Sequence, residues 1–459
     1  MRATRSVVPW LSALAIGGAA TGFLGAARGG AAPAEIAWKK LELNDAFLCE
    51  GASFGDFDKD GHADVVSGPY WYAGPDFTKR HALAAVHPFD PLKYSDNFFA
   101  FPYDFDKDGW LDVLFVGFPG EGAWWARNPG PDLSKDPIWE RHDVYWSYLK
   151  VVDDKEEKVV VKEVSGESPT FVDINGDGVP DLVGRSHSPE TPTSKSLSCW
   201  CYATFDPDHP EKEWKCHPIS GDVGEGPFFH GMGVGDVNGD GRPDLIERTG
   251  WWEQPKDLKG DPGWTLHEVA FSSGHGGAQM LVTDVDGDGD ADVITSISAH
   301  AYGLSWFEQD RQEVLGYERI RFVEHHLMGE KPEECTHGIN FTELHALALA
   351  DVDGDGLQDF VTGKRFWAHG PSGSPGAGDP SVLYWWKLVR KDGKADFEPH
   401  RIDDDSGVGT QVVAGDVDGD GKTDVVVGNK KGIFVHIGDA KKVSKEEYEK
   451  QLPKPVSGQ

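Results

Sequence analysis

The pattern Asp-x-Asp/Asn-x-Asp-Gly-x-x-Asp occurs seven times in this chain, beginning at Asp56, Asp104, Asp173, Asp236, Asp284, Asp351 and Asp416. A short apolar run follows each copy, as in Asp64-Val65-Val66 or Asp424-Val425-Val426-Val427. One such unit is too small to bury an apolar face by itself. Recurrence on this scale therefore predicts repeats that share a core with their neighbours.

The pattern also has a chemistry. Carboxylates at positions one, three and five converge on a point when the backbone curls tightly, and Gly at position six permits the curl. A carbonyl at seven and a carboxylate at nine complete an oxygen shell that suits a hard cation such as calcium. The ligand positions are Asp56, Asp58, Asp60 and Asp64 in the first copy and Asp104, Asp106, Asp108 and Asp112 in the second. The third has Asp173, Asn175, Asp177 and Asp181, and the fourth Asp236, Asn238, Asp240 and Asp244. The fifth has Asp284, Asp286, Asp288 and Asp292, and the sixth Asp351, Asp353, Asp355 and Asp359. The seventh has Asp416, Asp418, Asp420 and Asp424. An EF-hand would place helices on both sides of such a loop, whereas β-branched runs follow here, so the loop is expected to join two strands. Up to seven Ca²⁺ ions are predicted.

The formal net charge is −33. Clustered carboxylates repel one another without cations, so folding is expected to depend on the metal. The same acidity argues against a nucleic-acid partner. Arg2 and Arg5 precede a Gly/Ala-rich apolar stretch from Val7 to Ala27, interrupted by Pro9, and Ala32-Pro33-Ala34 offers a small-residue cleavage site. Residues 1–34 read as a signal peptide rather than an anchor, so a secreted or periplasmic protein without a membrane span after cleavage is expected. Five cysteines are too few for a disulfide framework. A cross-strand bond from Cys199 or Cys201 to Cys216 is expected in an oxidising compartment.

Each repeat carries further strands. A Trp-rich segment recurs at Tyr70-Trp71-Tyr72, Trp124-Trp125, Trp200, Trp251-Trp252, Trp306-Phe307, Trp385-Trp386 and Phe434. An aromatic-x-x-His phrase follows at Trp139–His142, Trp214–His217, Trp264–His267, Phe322–His325 and Phe397–His400, with a degenerate copy at Arg80-His81. These histidines recur with the repeat and read as structural, capping or packing between blades. With the strand before each acidic loop, the unit has four strands. Seven such units predict an all-β, seven-bladed β-propeller over residues 35–438. The last unit stops after Gly432-Ile433-Phe434-Val435-His436 and lacks a fourth strand. Trp38–Leu43 resembles the missing one, so pairing of the two terminal strands is expected to close the ring and remove its open edges. The Lys/Glu-rich stretch 439–459 reads as a solvated tail.

The stretch Gly235-Asp236-Val237-Asn238-Gly239-Asp240-Gly241-Arg242-Pro243-Asp244-Leu245 and its sisters resemble FG-GAP/VCBS repeats, the units of integrin α-chain propellers. Some secreted fungal lectins and the propeller part of fungal aldos-2-ulose dehydratase are similar too. The resemblance implies that the acidic loop joins the innermost strand to the next on a lower face and binds calcium there. It fixes a fold, and fold does not fix function.

The connections at the opposite, upper face hold His187, His230, His275, His300, His337, His345 and His369, which do not recur in register. Basic residues gather there too, and could steer an anionic ligand to the mouth. The densest stretch runs from Cys335 through His337, Glu343 and His345, and continues at Lys364, Arg365, Phe366, Trp367 and His369. Glu343 and His345 are two apart, so an extended strand would point both the same way. His337, Glu343 and His345 could bind a transition metal in addition to the calcium, or act as general base and acid. Lys364 or Arg365 would hold an acid group, and His369 belongs to the same set. His230, His275, Phe366 and Trp367 are expected ligand contacts, as are Phe228 and Phe229. At least one Trp of each recurring pair should be core rather than a sugar platform. No nucleophile elbow, phosphate loop or zinc-protease helix is present. The chain therefore reads as a module binding a carbohydrate, possibly acidic, or an extracellular protein through its upper face. The alternative is a lyase or dehydratase acting on a sugar or uronate at the central mouth.

Overall fold

The computed structural model describes residues 35–441 except 153–154, 163, 189–196, 225–227, 275 and 315. The predicted signal segment and the tail beyond Lys441 lie outside the described residues. Seven four-stranded antiparallel sheets make up the fold. Blade 1 contains Ser53–Gly55, Asp64–Ser67, Tyr70–Ala73 and Lys79–Ala82, from the innermost strand outward. Blades 2 to 6 repeat this order, with inner strands Phe99–Tyr103, Val164–Val172, Met232–Gly235, Leu281–Thr283 and Leu347–Ala350. In blade 7, Val412–Gly415, Asp424–Asn429 and Gly432–Lys441 come from the C-terminal side, and Glu35–Asn44 supplies the outermost strand. Its register sets Trp38 opposite Gly438 and Lys40 opposite His436. The terminal strands thus close the ring as expected. A hairpin of Trp146–Val152 and Lys155–Val161, inserted between blades 2 and 3, accounts for the longest repeat. Among the described residues, no helix is long and apolar enough to cross a membrane.

Apolar faces are buried between successive blades. Val66 and Trp71 of blade 1 pack with Ala100, Val113, Phe115 and Trp124 of blade 2. Ile246 and Trp251 of blade 4 meet Met280, Val293 and Phe307 of blade 5 in the same way. Trp125, Trp251, Trp306, Trp385 and Trp386 are all buried, so at least one Trp of each recurring pair is core, while Trp252 is half-buried. Full burial of one large side chain contributes about 2–3 kcal/mol, and every blade makes such contacts on both sides.

The recurring histidines stack within a blade, and two also reach the next one, His81 to Asp136 at 2.9 Å and His217 to Asp261 at 2.5 Å. Trp71–His81, Trp125–His142, Tyr202–His217, Trp251–His267, Trp306–His325 and Trp385–His400 are cross-strand partners. Their ring centroids lie 4.1–4.6 Å apart. Directly opposed residues on one face of a sheet come this close, which is why the two aromatic phrases keep pace along the chain. The expected disulfide is absent. All five cysteines are free. Cys201 lies opposite Pro218 and Cys216 opposite Ala203, so the two thiols are offset diagonally across the strands.

Candidate functional site at the central mouth

The acidic loops are held by their own side chains. The position-five carboxylate accepts the N–H of position seven in every copy, from His62 on Asp60 to Lys422 on Asp420. The position-one carboxylate accepts the N–H of the position-six Gly in six copies, as in Gly61 to Asp56 at 3.1 Å. That Gly has positive φ throughout, for example +92° at Gly61 and +83° at Gly421, a conformation that L side chains adopt at a cost. Oxygens of Asp56, Asp58 and Asp64 lie within 4.8 Å of one another, as do those of Asp104, Asp106 and Asp108. In blade 6, the Lys387 ammonium already bridges Asp353 and Asp355, so that loop carries a cation of the chain's own.

The position-nine aspartate does more than the spacing suggests. In all seven copies one of its oxygens accepts the N–H of position two, from Phe57 to Asp64 through Val417 to Asp424. Its other oxygen accepts a backbone N–H from the third strand or the residue just after it in six copies, from Gly74, Asn128, Gln254, Gln309, Leu388 or Gly438. It clamps the acidic loop to the blade. Burial pushes these carboxyls up, Asp64 to about 7 and Asp112 to about 8. A nearby cation would act in the opposite direction.

At the other end of the inner strands, residues from different blades meet. His230 and His345 precede the inner strands of blades 4 and 6, and His300 lies in the loop after the second strand of blade 5, Asp292–Ser296. Each offers a ring nitrogen within 4.8 Å of the others. Ring centroids are 4.7 Å apart for His230–His300, 4.8 Å for His300–His345 and 5.5 Å for His230–His345. His345 Nδ1 lies 3.1 Å from the carbonyl of Glu343, a contact that fixes the proton on Nδ1 and leaves Nε2 as acceptor. His345 Nε2, His300 Nδ1 and both His230 nitrogens are buried without a hydrogen-bond partner. Burial, then the neighbouring Arg365, holds His345 well below the usual histidine range, and burial holds His300 down to about 3.

Glu167 of blade 3 completes the group. Its Oε2 lies 3.5 Å from His230 Nε2, 4.0 Å from His345 Nε2 and 3.1 Å from Arg365 Nη1. Burial would raise this carboxyl, but His230, Arg365 and His345 together hold it well below the carboxylate range. The other arm of Arg365 pairs with Glu50 of blade 1. Its guanidinium lies near Phe98 and Tyr94, at 5.5 and 5.9 Å from the ring centroids. Lys430 stands over Tyr94 at 4.7 Å, and burial lowers its ammonium to about 8.

The sequence-predicted residues are only partly gathered here. His230, His345 and Arg365 are in the cluster, and the exposed His369 lies against His300 with ring centroids 4.4 Å apart and the rings tilted by 38°. His337 is not brought to the mouth; its Nε2 lies 3.4 Å from Asp396 on the outermost strand of blade 6. Glu343 does not alternate with His345 along a strand, because its φ of +60° precedes a strand that starts only at Leu347. Its side chain accepts the Ala368 N–H at 2.6 Å, and its carbonyl accepts that of Arg365. Lys364 is turned inward, its ammonium donating to the carbonyls of Arg365, Phe366 and Ala377, so it holds the 370–381 loop rather than an acid group. Arg365 likewise spends its charge on Glu50 and Glu167. Phe366 and Trp367 stack on each other at 3.9 Å, Trp367 donating to Pro91. Phe228 is exposed and Phe229 buried. His275 and the His187 side chain lie outside the described residues. A surface depression lined by Arg141, His142, Tyr145, Val160 and Glu211 lies on outer strands and gathers no comparable set.

Glu50 and Glu167 escaped the sequence reading, yet they carried a signal. Glu50, Glu167, His230 and His345 all stand six residues before the first Asp of their acidic loops. That phase of the repeat delivers side chains to the centre of the ring. Arg365 and Lys430 share a second phase, six residues after the position-nine Asp.

Residues 408–439 match the FG-GAP repeat family. Recognition of that repeat and the seven-bladed architecture agree. Comparison with curated proteins finds no match. Among solved structures, the chain is similar to the rhamnogalacturonan lyase YesW at 14% identity and a TM-score of 0.37. That likeness covers 89% of this chain and 73% of the lyase.

Proposed function

We propose that this chain is an exported, calcium-stiffened propeller that performs carbon–oxygen lyase chemistry on a sugar acid at its upper mouth. The observation that carries this reading is the convergence of His230, His300, His345 and Glu167, from four blades, into one group with unpartnered ring nitrogens. A scaffold or a simple binding face has no need to bury such groups, because each costs desolvation without a compensating hydrogen bond. Perturbed, converging titratable groups at the centre of a ring are the usual mark of chemistry.

The side chains divide the work. His369 is exposed beside His300 and is the group best placed to meet an incoming substrate. It would take the proton from the carbon next to the substrate carboxyl. The electrons of that C–H bond form a carbon–carbon double bond as the neighbouring C–O bond breaks. The leaving oxygen departs with its bonding pair and takes the proton back from the His369 imidazolium, which returns that side chain to its neutral state. Lys430, held over Tyr94 at the mouth, favours an anionic ligand, whereas Lys431 is paired with Asp405. The acidic loops would bind calcium and stiffen the blades without touching substrate.

The test is incubation of the purified protein with uronate-containing oligosaccharides, following ultraviolet absorbance of the conjugated product. The reading expects product formation that falls at least 100-fold in His369→Ala with unchanged folding. Wild-type protein that binds such sugars without forming unsaturated product would reduce the mouth to a carbohydrate-binding face.

A further inference from the structure

We infer that His230, His300, His345 and Glu167 form a binding site for one divalent transition ion of the zinc class, separate from the acidic loops. The inference deepens the proposed lyase reading, since it names what holds the substrate carboxylate. It does not stand or fall with turnover.

Four features of the geometry carry it. First, three imidazoles from blades 4, 5 and 6 offer ring nitrogens within 4.8 Å of one another. A four-coordinate ion with bonds of ~2.0–2.1 Å needs its donors roughly 3.4 Å apart, which small inward side-chain rotations reach. Second, the donors are largely unspent: His345 Nε2, His300 Nδ1 and His230 Nδ1 have no hydrogen-bond partner, and His230 Nε2 makes none either, facing the Glu167 carboxylate at 3.5 Å, although His345 and His230 are only 1% and 3% exposed. Buried polar atoms are rarely left so, and here several are aimed at one point. Third, His345 is oriented as metal-bound histidines are, with its far nitrogen against the Glu343 carbonyl. Glu343 adopts left-handed backbone geometry where that carbonyl is presented, and the same carbonyl accepts the Arg365 N–H at 3.0 Å. Fourth, a carboxylate is in place. Glu167 Oε2 stands 3.5 and 4.0 Å from two of the imidazoles, and Arg365 fixes it from behind at 3.1 Å.

The donor chemistry decides the class of ion. Neutral imidazole nitrogens suit zinc, cobalt, nickel or copper, whereas calcium and magnesium prefer all-oxygen shells. Three nitrogens with one carboxylate therefore differ in kind from the acidic loops. Of the three histidines, His300 is the only one that is not buried, and the exposed His369 lies against it, so that side is where an exchangeable water or a ligand carboxylate would reach the ion.

The experiment uses the full mature protein, stripped with a strong chelator, then saturated with calcium so that the acidic loops are filled. Cobalt(II) is titrated in while its visible absorption bands are recorded, and zinc is then used to displace it. The expected result is one cobalt per chain with the intense bands of a four- or five-coordinate nitrogen site, lost on adding one equivalent of zinc. His300→Ala and His345→Ala each weaken cobalt binding at least 100-fold, and Glu167→Gln weakens it by about 10-fold or more. His337→Ala leaves it unchanged. His300 is half-buried, so its variant keeps the test valid should His345→Ala fail to fold. Absence of a tight cobalt site in folded wild-type protein overturns the inference, as does undiminished binding in folded His300→Ala. Metal binding without elimination activity would overturn the lyase reading alone. Elimination activity in folded protein that binds no cobalt would overturn the metal site alone.

Discussion

The two ends of the inner strands are built from the same repeat and carry opposite kinds of information. At the lower end, seven loops share one hydrogen-bond pattern, and the position-nine Asp clamps position two in all of them. At the upper end, the position six residues before each loop holds Glu50, Phe98, Glu167, His230, Ala278, His345 and Thr410 in turn. Uniformity below fits a load shared by every blade. Variety above fits a single centre to which different blades contribute different groups. Repetition of a residue thus points to the frame, and variation at a repeated position points to the site.

Removal of calcium should break this division most visibly. A calcium-selective chelator is expected to lower the melting temperature by on the order of 10 °C, because ion binding is coupled to folding. Scanning calorimetry with and without chelator checks this, and an unchanged transition would strip the acidic loops of their structural role. Next in size is Asp112→Ala. It leaves the buried N–H groups of Phe105 and Asn128 unpaired, at a cost of about 2–4 kcal/mol. Urea unfolding in saturating calcium measures it. A loss under 1 kcal/mol would mean that the clamp is not what holds loop to blade.

The frame should also be pH-sensitive where the mouth is not involved. Burial holds His400, stacked on Trp385, down to about 4. The unfolded chain therefore binds this proton below about 6.5 while the folded chain does not. Stability from this group is complete above that pH, declines by ~1.4 kcal/mol per unit as pH falls, and levels off near 4. Comparing unfolding of wild type and His400→Gln between pH 7 and 4 checks the slope; identical slopes would refute it. The smallest effect sits in the loops themselves. Lys107 occupies position four with φ of +58°, where copies three to seven have Gly. Lys107→Gly should relieve about 1 kcal/mol of backbone strain, read as a small rise in the urea midpoint.

The frame was legible because its signals repeat. Acidic loops, paired aromatics and β-branched runs recur in step, and the incomplete last unit pointed to Trp38–Leu43 as its missing strand. The mouth was legible only where one residue type drew attention. His230 and His345 were found as histidines, while Glu50 and Glu167 were invisible among 77 acidic residues until the repeat phase sorted them. Proximity in sequence misled at His337, which a long connection carries to Asp396 on an outer strand. It misled at Glu343 too, since left-handed backbone there cancels the two-residue alternation of a strand. Lys364 and Arg365 were read as charges offered to a ligand, but burial forces each to spend its charge inside the protein.

The account rests on two chemically distinct metal zones, and elemental analysis of wild type and His345→Ala tests that most directly. Both proteins would be purified in calcium, exposed to zinc and dialysed against metal-free buffer. The expected result is the same calcium content in both, approaching one ion per acidic loop, with one zinc per chain in wild type and none in the variant. Equal zinc in the two proteins, or calcium lost together with zinc, would contradict the separation of frame from site.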